Sequence, residues 1–216
     1  MAELFDAFNE GGPFMYLILF LSVFALGVAI HRGYFLFFRY RLSEDEVTQA
    51  IVKSVESNSY ARAIQFCNAK AHPLTNILKA GLIRANRTER EIRRGMEVAA
   101  SHELPNLKKG TWLLPQLANA ATLLGLLGTI RGLIVAFSGM EGGDAVKRQE
   151  ALSKGIALAF SATFFALSAA VVMILLYLVL LSKQNKTIAK MEHAASSLVD
   201  TLVGKNKGLL GSQQKG

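Results

Sequence analysis

The sequence has 216 residues, of which 51% are hydrophobic and 19% charged, and its formal net charge at pH 7 is +8. This hydrophobic fraction is higher than that of an ordinary soluble domain. We therefore expect the excess of apolar side chains to lie in lipid. The single cysteine, Cys67, rules out a disulfide framework or a Cys-x-x-Cys metal site within the chain and suits a reducing compartment. The basic charge alone is compatible with nucleic acid, an anionic membrane face or an acidic partner.

An apolar segment without a charged residue runs from Phe14 to Ile30 and is followed by an aromatic stretch. Its length is sufficient to cross a hydrocarbon layer of about 30 Å. We predict a first transmembrane helix with an interfacial extension over residues 14–38, preceded by an external N-terminus over residues 1–13. Arg32, at the inner end, is interpreted as an interfacial or pairing charge, with a proton relay as the alternative.

Residues 39–112 carry thirteen lysines and arginines, whereas residues 1–13 carry none. By the positive-inside rule this region is cytoplasmic and the N-terminus is external. Thr88 and Glu91 match a helix capping box, and apolar residues recur at helical spacing, which predicts a cytoplasmic helical domain. Topology therefore explains the basic charge better than nucleic acid binding does.

Two further apolar segments, at residues 113–137 and 155–181, predict the second and third transmembrane helices. Both are longer than the hydrocarbon layer requires, and we expect them to project beyond it. The loop at residues 138–154 is then external. Residues 182–216 return to the cytoplasm as a helical extension and tail, because apolar residues continue there at steps of three and four.

The second and third segments each present a face of small residues. The face of the second segment consists of Ala118, Thr122, Gly125, Thr129, Gly132 and Ala136 at steps of three and four, and we add Gly128 as a packing residue. The face of the third consists of Gly155, Ala159, Ala162, Ala166 and Ala169 at the same steps. Small faces allow membrane helices to approach closely, so helix packing is the plainest interpretation. Hydroxyl groups accompany both faces; they belong to Thr122, Thr129, Ser161 and Thr163.

The stretches Gly125-Leu-Leu-Gly-Thr-Ile-Arg-Gly132 and Gly155-Ile-Ala-Leu-Ala-Phe-Ser-Ala-Thr163 resemble the pore-helix motifs of the MotA/TolQ/ExbB proton-channel family. The order of elements is similar to that of the three-span TolQ/ExbB branch over nearly the whole chain. The resemblance implies an all-α integral membrane protein of the bacterial inner membrane, with a periplasmic N-terminus and a cytoplasmic C-terminus.

The resemblance further implies a homo-oligomer, a pentamer, that surrounds two copies of a single-span ExbD/TolR-like partner and uses inward proton flow to drive mechanical work on the cell envelope. The pore threonines of the family correspond to Thr129 and Thr163, and we add Thr122 and Ser161 as pore-lining hydroxyls. Two positions depart from the family pattern: Leu158 stands where many members have a glutamate, and Thr122 stands where a proline is usual.

The remaining features favour plain interpretations. Arg131, in the second segment, is expected to reach the interface or to pair with another subunit, with a direct role in the proton path as the alternative. We expect no metal, no cofactor and no enzymatic activity, because neither ligand spacing nor a nucleophile motif occurs. The main alternative function is a structural oligomeric membrane scaffold without ion flux.

Overall fold

The structure, a computed structural model, describes residues 12–39, 44–70, 72–140 and 144–213. Within those ranges the regular elements are all helical, which confirms the all-α fold. The helices are α1 (Gly12–Tyr34), a π-helical segment (Phe35–Arg39), α2 (Glu44–Glu56), α3 (Tyr60–Ala69), α4 (Pro73–Leu82), α5 (Glu89–Lys108), α6 (Leu113–Ser138) and α7 (Ala145–Gln213).

Among the described residues, three helical stretches are long and apolar enough to cross a membrane; they are Pro13–Phe37, Glu89–Ser138 and Ala145–Lys205. Each contains a predicted span, and the prediction of a three-span membrane protein is confirmed. The predicted external N-terminus lies almost entirely outside the described residues.

The chain divides into two compact units. The first comprises Met1–Gly33 and Gly110–Leu181 and therefore contains α1, α6 and the first part of α7. Its core is formed by Ile18, Ala25 and Ala29 of α1 together with apolar side chains of α6 and α7. Exposed apolar residues cover the outside of the unit, as expected for a protein that faces lipid.

The second unit comprises Tyr34–Lys109 and Ser182–Gly216. Helices α2 to α5 pack there around the last part of α7, whose Met191, Leu198 and Leu202 are fully buried. The predicted apolar seam after the third span is thus the core-facing side of α7. Lys205 also links α7 to α2, because its ammonium donates hydrogen bonds to the backbone carbonyls of Val55 and Glu56 at the end of α2.

One boundary differs from the sequence-based one. The third helix begins at Ala145, so most of the predicted external loop is helical; Glu150 and Lys154, 2.7 Å apart, support this additional helix as an i,i+4 pair. Helix α5 ends at Lys108, before the second span, and Gly110 adopts a positive φ of 82°. Pro105 lies inside α5 without ending it.

Helix caps define two starts in the second unit. The predicted capping box is confirmed: Thr88 accepts a hydrogen bond from the amide of Glu91, whose carboxylate accepts one from the amide of Thr88. His72 caps α4, because its Nδ1 accepts a hydrogen bond from the amide of Leu74. No sequence motif predicted a histidine in this role.

Candidate functional site

The small faces of α6 and α7 pack against each other within one chain. A Cβ placed on Gly128 would lie 2.7 Å from Cβ of Ala162, and one placed on Gly132 would lie 2.7 Å from the backbone nitrogen of Ala159. Further along, a Cβ on Gly125 would lie 2.5 Å from Cβ of Ala166. The two helices therefore approach so closely that only hydrogen fits at the three glycines.

Thr163 lies beside this contact. Its hydroxyl oxygen is 3.1 Å from the carbonyl oxygen of Ala159, one turn earlier, and 3.4 Å from that of Gly125 on the facing helix. The side chain is partly buried. Thr163 therefore bridges α6 and α7 at the margin of their interface.

Two threonines of α6 flank the same interface. The hydroxyls of Thr122 and Thr129 donate to the carbonyls of Ala118 and Leu126, at 3.0 and 2.6 Å. At about 100° per residue, both side chains point about 65–90° away from the glycine face, and Thr163 points about 70° away from the alanine face. Because α6 and α7 run antiparallel, these rotations lead to one side of the pair, and the three threonines form a single edge, which we call the hydroxyl edge.

Helix α1 packs against the opposite side of the α6–α7 pair. Its buried residues share a core with Leu117 and Leu124 of α6 and with Phe165 and Ala169 of α7. On the same helical wheel, these four point away from the hydroxyl edge. The hydroxyl edge is therefore the side that α1 leaves uncovered within the chain.

The structure does not bring Ser161 together with the threonines. Ser161 lies two residues before Thr163, which places it about 200° around α7 and away from the hydroxyl edge. The small residues Ala159, Ala162 and Ala166 lie between these two directions and face α6.

The two arginines singled out from the sequence have different surroundings. Arg131 is exposed, with its guanidinium carbon 5.9 Å from the ring centroid of Phe14. Arg32 is buried, with 8% of its surface exposed, and a Cβ on Gly110 would lie 3.4 Å from its Cδ. Neither belongs to the hydroxyl edge.

No acidic side chain lies in α1, in α6 or in residues 155–181 of α7. The hydroxyl edge can therefore donate and accept hydrogen bonds but cannot itself bind and release a proton near neutral pH. In the part of the chain that the structure describes, no group of three or more His, Cys, Asp or Glu side chains could hold a metal ion.

Sequence reasoning missed Gln184, which is buried in the second unit. Its Nε2 donates to the carbonyl of Leu107, 3.2 Å away, one of the last carbonyls of α5. Such carbonyls have no partner within their own helix, so Gln184 satisfies one that would otherwise be left unbonded. The sequence signal for this role was the position of Gln184, a polar residue that continues the helical spacing of the apolar seam on α7.

Three apolar spans, two of them joined by a glycine and alanine contact with hydroxyls along one margin, define a multi-pass helical membrane protein. Residues 69–193 match the MotA/TolQ/ExbB proton channel family, and the chain belongs to that family. The matched range includes α6 and its loop to α7, all three threonines and about half of the second unit.

Curated relatives agree with this membership. The chain is 33% identical over 188 residues to a protein of Synechocystis sp. named as a biopolymer transport protein, ExbB-like 1, and the match covers 85% of this chain and 73% of that protein. A biopolymer transport ExbB homolog of Methanothermobacter thermautotrophicus is 25% identical over 187 residues, covering 87% and 66%. A second Synechocystis protein, ExbB-like 3, is 29% identical over 166 residues, covering 76% and 79%.

Proposed function

We propose that this protein is the proton-channel subunit of a motor in the bacterial inner membrane, which uses the proton-motive force to do mechanical work on the cell envelope. The observation that carries the proposal is the hydroxyl edge, formed by Thr122, Thr129 and Thr163 on the side of α6 and α7 that α1 does not cover. Membership of a proton channel family and the names of the relatives support the same function.

The proposal requires a second chain. Because the spans of this protein contain no carboxylate, a titratable group has to come from a partner, and we propose a single-span ExbD/TolR-like protein with an acidic residue in its span. Copies of this chain, five in the proposed arrangement, surround two such helices. Thr129 and Thr163 then offer hydroxyls to the acidic residue as it gains and loses its proton.

The proposed topology places the N-terminus and the loop before α7 in the periplasm, and the second unit and the C-terminus in the cytoplasm. The distribution of basic residues supports this orientation, since they are concentrated in residues 39–112. Anionic lipid at the cytoplasmic face would favour the same arrangement.

The test replaces Thr129 or Thr163 by valine, which keeps the branched shape and removes the hydroxyl. Proton uptake is measured in vesicles that contain the chain and its single-span partner, under an imposed potential. We expect the flux to fall by at least about tenfold, because a hydrogen bond to a charged group contributes about 1.5–3 kcal/mol and about 1.4 kcal/mol corresponds to a factor of ten in rate. Serine at either position retains the hydroxyl and should preserve most of the flux.

Ser22→Ala is the matched control. Ser22 lies in α1, outside the hydroxyl edge, and its hydroxyl donates to the carbonyl of Ile18, 2.7 Å away. Normal flux in both valine variants with normal assembly would contradict the role of the threonines. A wild-type complex that assembles and carries no protons would instead favour the structural scaffold.

A further inference from the structure

We propose that Phe160 of one copy inserts into a groove on α6 of the neighbouring copy, and that this contact closes the ring in which the hydroxyl edges face a common axis. The inference rests on the proposed homo-oligomer and names the residues that build it. Without the neighbouring copy, a single chain contributes one hydroxyl edge and encloses nothing.

The groove lies on the outer surface of α6. It has a volume of about 420 Å³ and is lined by Ile130, Leu133, Ile134, Phe137 and Ser138. All four apolar side chains in it are exposed in the single chain, with 43% to 63% of their surface accessible. The groove is therefore apolar, open and wide enough for part of an aromatic ring.

The complementary feature is an aromatic pair on the outer surface of α7. Phe160 and Phe164 lie one turn apart and are 70% and 76% exposed. Around them the surface has the small or hydroxyl-bearing residues Ala157, Ser161 and Ser168, a composition that membrane helices use where they pack against protein. Further along, the exposed surface of the same helix is branched aliphatic, as expected against lipid; it consists of Val171, Val172, Ile174, Leu175, Leu178 and Val179.

The side chain of Phe160 and the groove on α6 lie at the same depth in the membrane. Since Gly132 faces Ala159 and Gly128 faces Ala162, Phe160 is level with Arg131 of its own chain, one residue from Ile130. Copies related by rotation about the membrane normal keep their depth, so the neighbouring copy's Phe160 arrives at the level of the groove. Phe164, four residues further on, lies about 6 Å nearer the inner end of the span.

The directions around the helices also agree with a closed ring. At about 100° per residue, the apolar residues of the groove point about 155° away from the glycine face of α6, and Phe160 points about 130° away from the alanine face of α7, both on the side of the hydroxyl edge. In a ring of ten helices, each helix meets its two neighbours at an interior angle of about 144°. The threonines lie near the bisector of that angle, which is the direction of the axis.

Cysteine pairs test the contact in native membranes. Cys67→Ser provides the background, and the double variant Ile130→Cys with Phe160→Cys is oxidised with copper phenanthroline. We expect a ladder of covalent dimers and larger species, because the two positions differ by about 1.5 Å in depth and face each other across the contact. Each single-cysteine variant should fail to form the ladder.

The matched control pairs Ile134→Cys with Phe164→Cys, which uses the same residue types but separates the two positions by about 10 Å in depth. We expect no ladder from it. Gly139→Cys with Ala151→Cys is the positive control for oxidation, because a Cβ on Gly139 would lie only 2.6 Å from that of Ala151 in the same chain, and a shift of about 1 Å brings the two to the separation found in disulfides. The intrachain bond is read as protection of both thiols from alkylation.

If the intrachain pair is oxidised while the variant with Ile130→Cys and Phe160→Cys stays monomeric, the proposed contact is wrong. It is also wrong if the control pair gives a ladder of equal intensity. The proposed function is tested separately by proton flux. A conducting complex without the ladder would refute the contact alone, whereas a ladder from a chain that never conducts would refute the channel and leave the contact standing.

Discussion

At the scale of single residues, the geometry of the threonine hydroxyls limits what they can do for a proton. The hydroxyl protons of Thr122 and Thr129 are used in bonds to carbonyls of their own helix, at 3.0 and 2.6 Å. The lone pairs of each oxygen remain available, so in this state the hydroxyl edge accepts hydrogen bonds. A protonated carboxyl group of a partner is a donor that such an edge would stabilise.

A residue outside the spans gives a pH-dependent prediction. Burial lowers the pKa of His72 from its ordinary value of 6.5, although nearby Glu103 acts in the opposite direction. The folded state therefore favours the neutral ring and binds fewer protons than the unfolded state, so the stability that His72 contributes is complete above about pH 6.5 and is lost as the pH falls below it. Protonation of Nδ1 also removes the acceptor for the amide of Leu74.

We expect hydrogen exchange at the start of α4, corrected for its intrinsic rate, to accelerate between pH 7.5 and pH 5.5. His72→Asn keeps a good cap without a titrating ring and should abolish this acceleration, while His72→Ala should weaken α4 at both pH values by about 1 kcal/mol. Acceleration that persists in the asparagine variant would assign the pH dependence to another group.

At the scale of elements, the contact between α6 and α7 depends on which atoms meet each glycine. Opposite Gly128, the nearest atom is the Cβ of Ala162, at 2.7 Å, and nothing else comes closer than 4.0 Å. Opposite Gly132, the backbone nitrogen and Cα of Ala159 lie at 2.7 and 2.9 Å, as close as its Cβ. A methyl group can be removed by mutation, whereas backbone cannot.

Alanine at Gly128 or at Gly132 should therefore destabilise the purified protein, each by about 1–3 kcal/mol through overpacking, with a lower midpoint of thermal unfolding in detergent. Gly128→Ala should be rescued by Ala162→Gly, but Gly132→Ala should not be rescued by Ala159→Gly. Gly27→Ala is the control, because no atom lies within 4 Å of the added methyl group, and it should unfold no earlier than the wild type. Equal rescue at both positions would contradict the backbone contact.

Much of this architecture follows from local pattern. The three spans, the capping box at Thr88 and the apolar seam ending at Leu202 were predictable because each depends on residues close together in sequence. The start of α7 at Ala145 was not predictable. A hydrophobicity pattern marks the segment that lies in lipid, but it does not show where a helix that continues beyond the lipid begins or ends. The pairing of the two small faces within one chain also lay beyond the pattern, because a stripe of small residues does not specify its partner.

At the scale of the whole molecule, the two cores explain which face of each helix is buried. The orientation of the protein in the membrane, by contrast, depends on charge alone. The second unit holds most of the basic residues between the first and second spans, and moving them across a bilayer is unfavourable. The short connection before α7 carries mixed charge and offers no comparable barrier. The sign of this asymmetry therefore predicts the topology.

Single cysteines in a Cys67→Ser background test that orientation. Val146, at the start of α7, is 75% exposed, and Ser101 lies exposed on α5. A membrane-impermeant maleimide added to intact spheroplasts should label Val146→Cys at once and Ser101→Cys only after permeabilisation, because the thirteen basic residues of 39–112 predict a cytoplasmic location for that region. The native thiol is a poor reporter, since burial raises the pKa of Cys67 to about 11 and keeps it protonated. Labelling of Ser101→Cys in intact spheroplasts, with Val146→Cys protected, would reverse the topology and with it the direction of proton flow relative to the second unit.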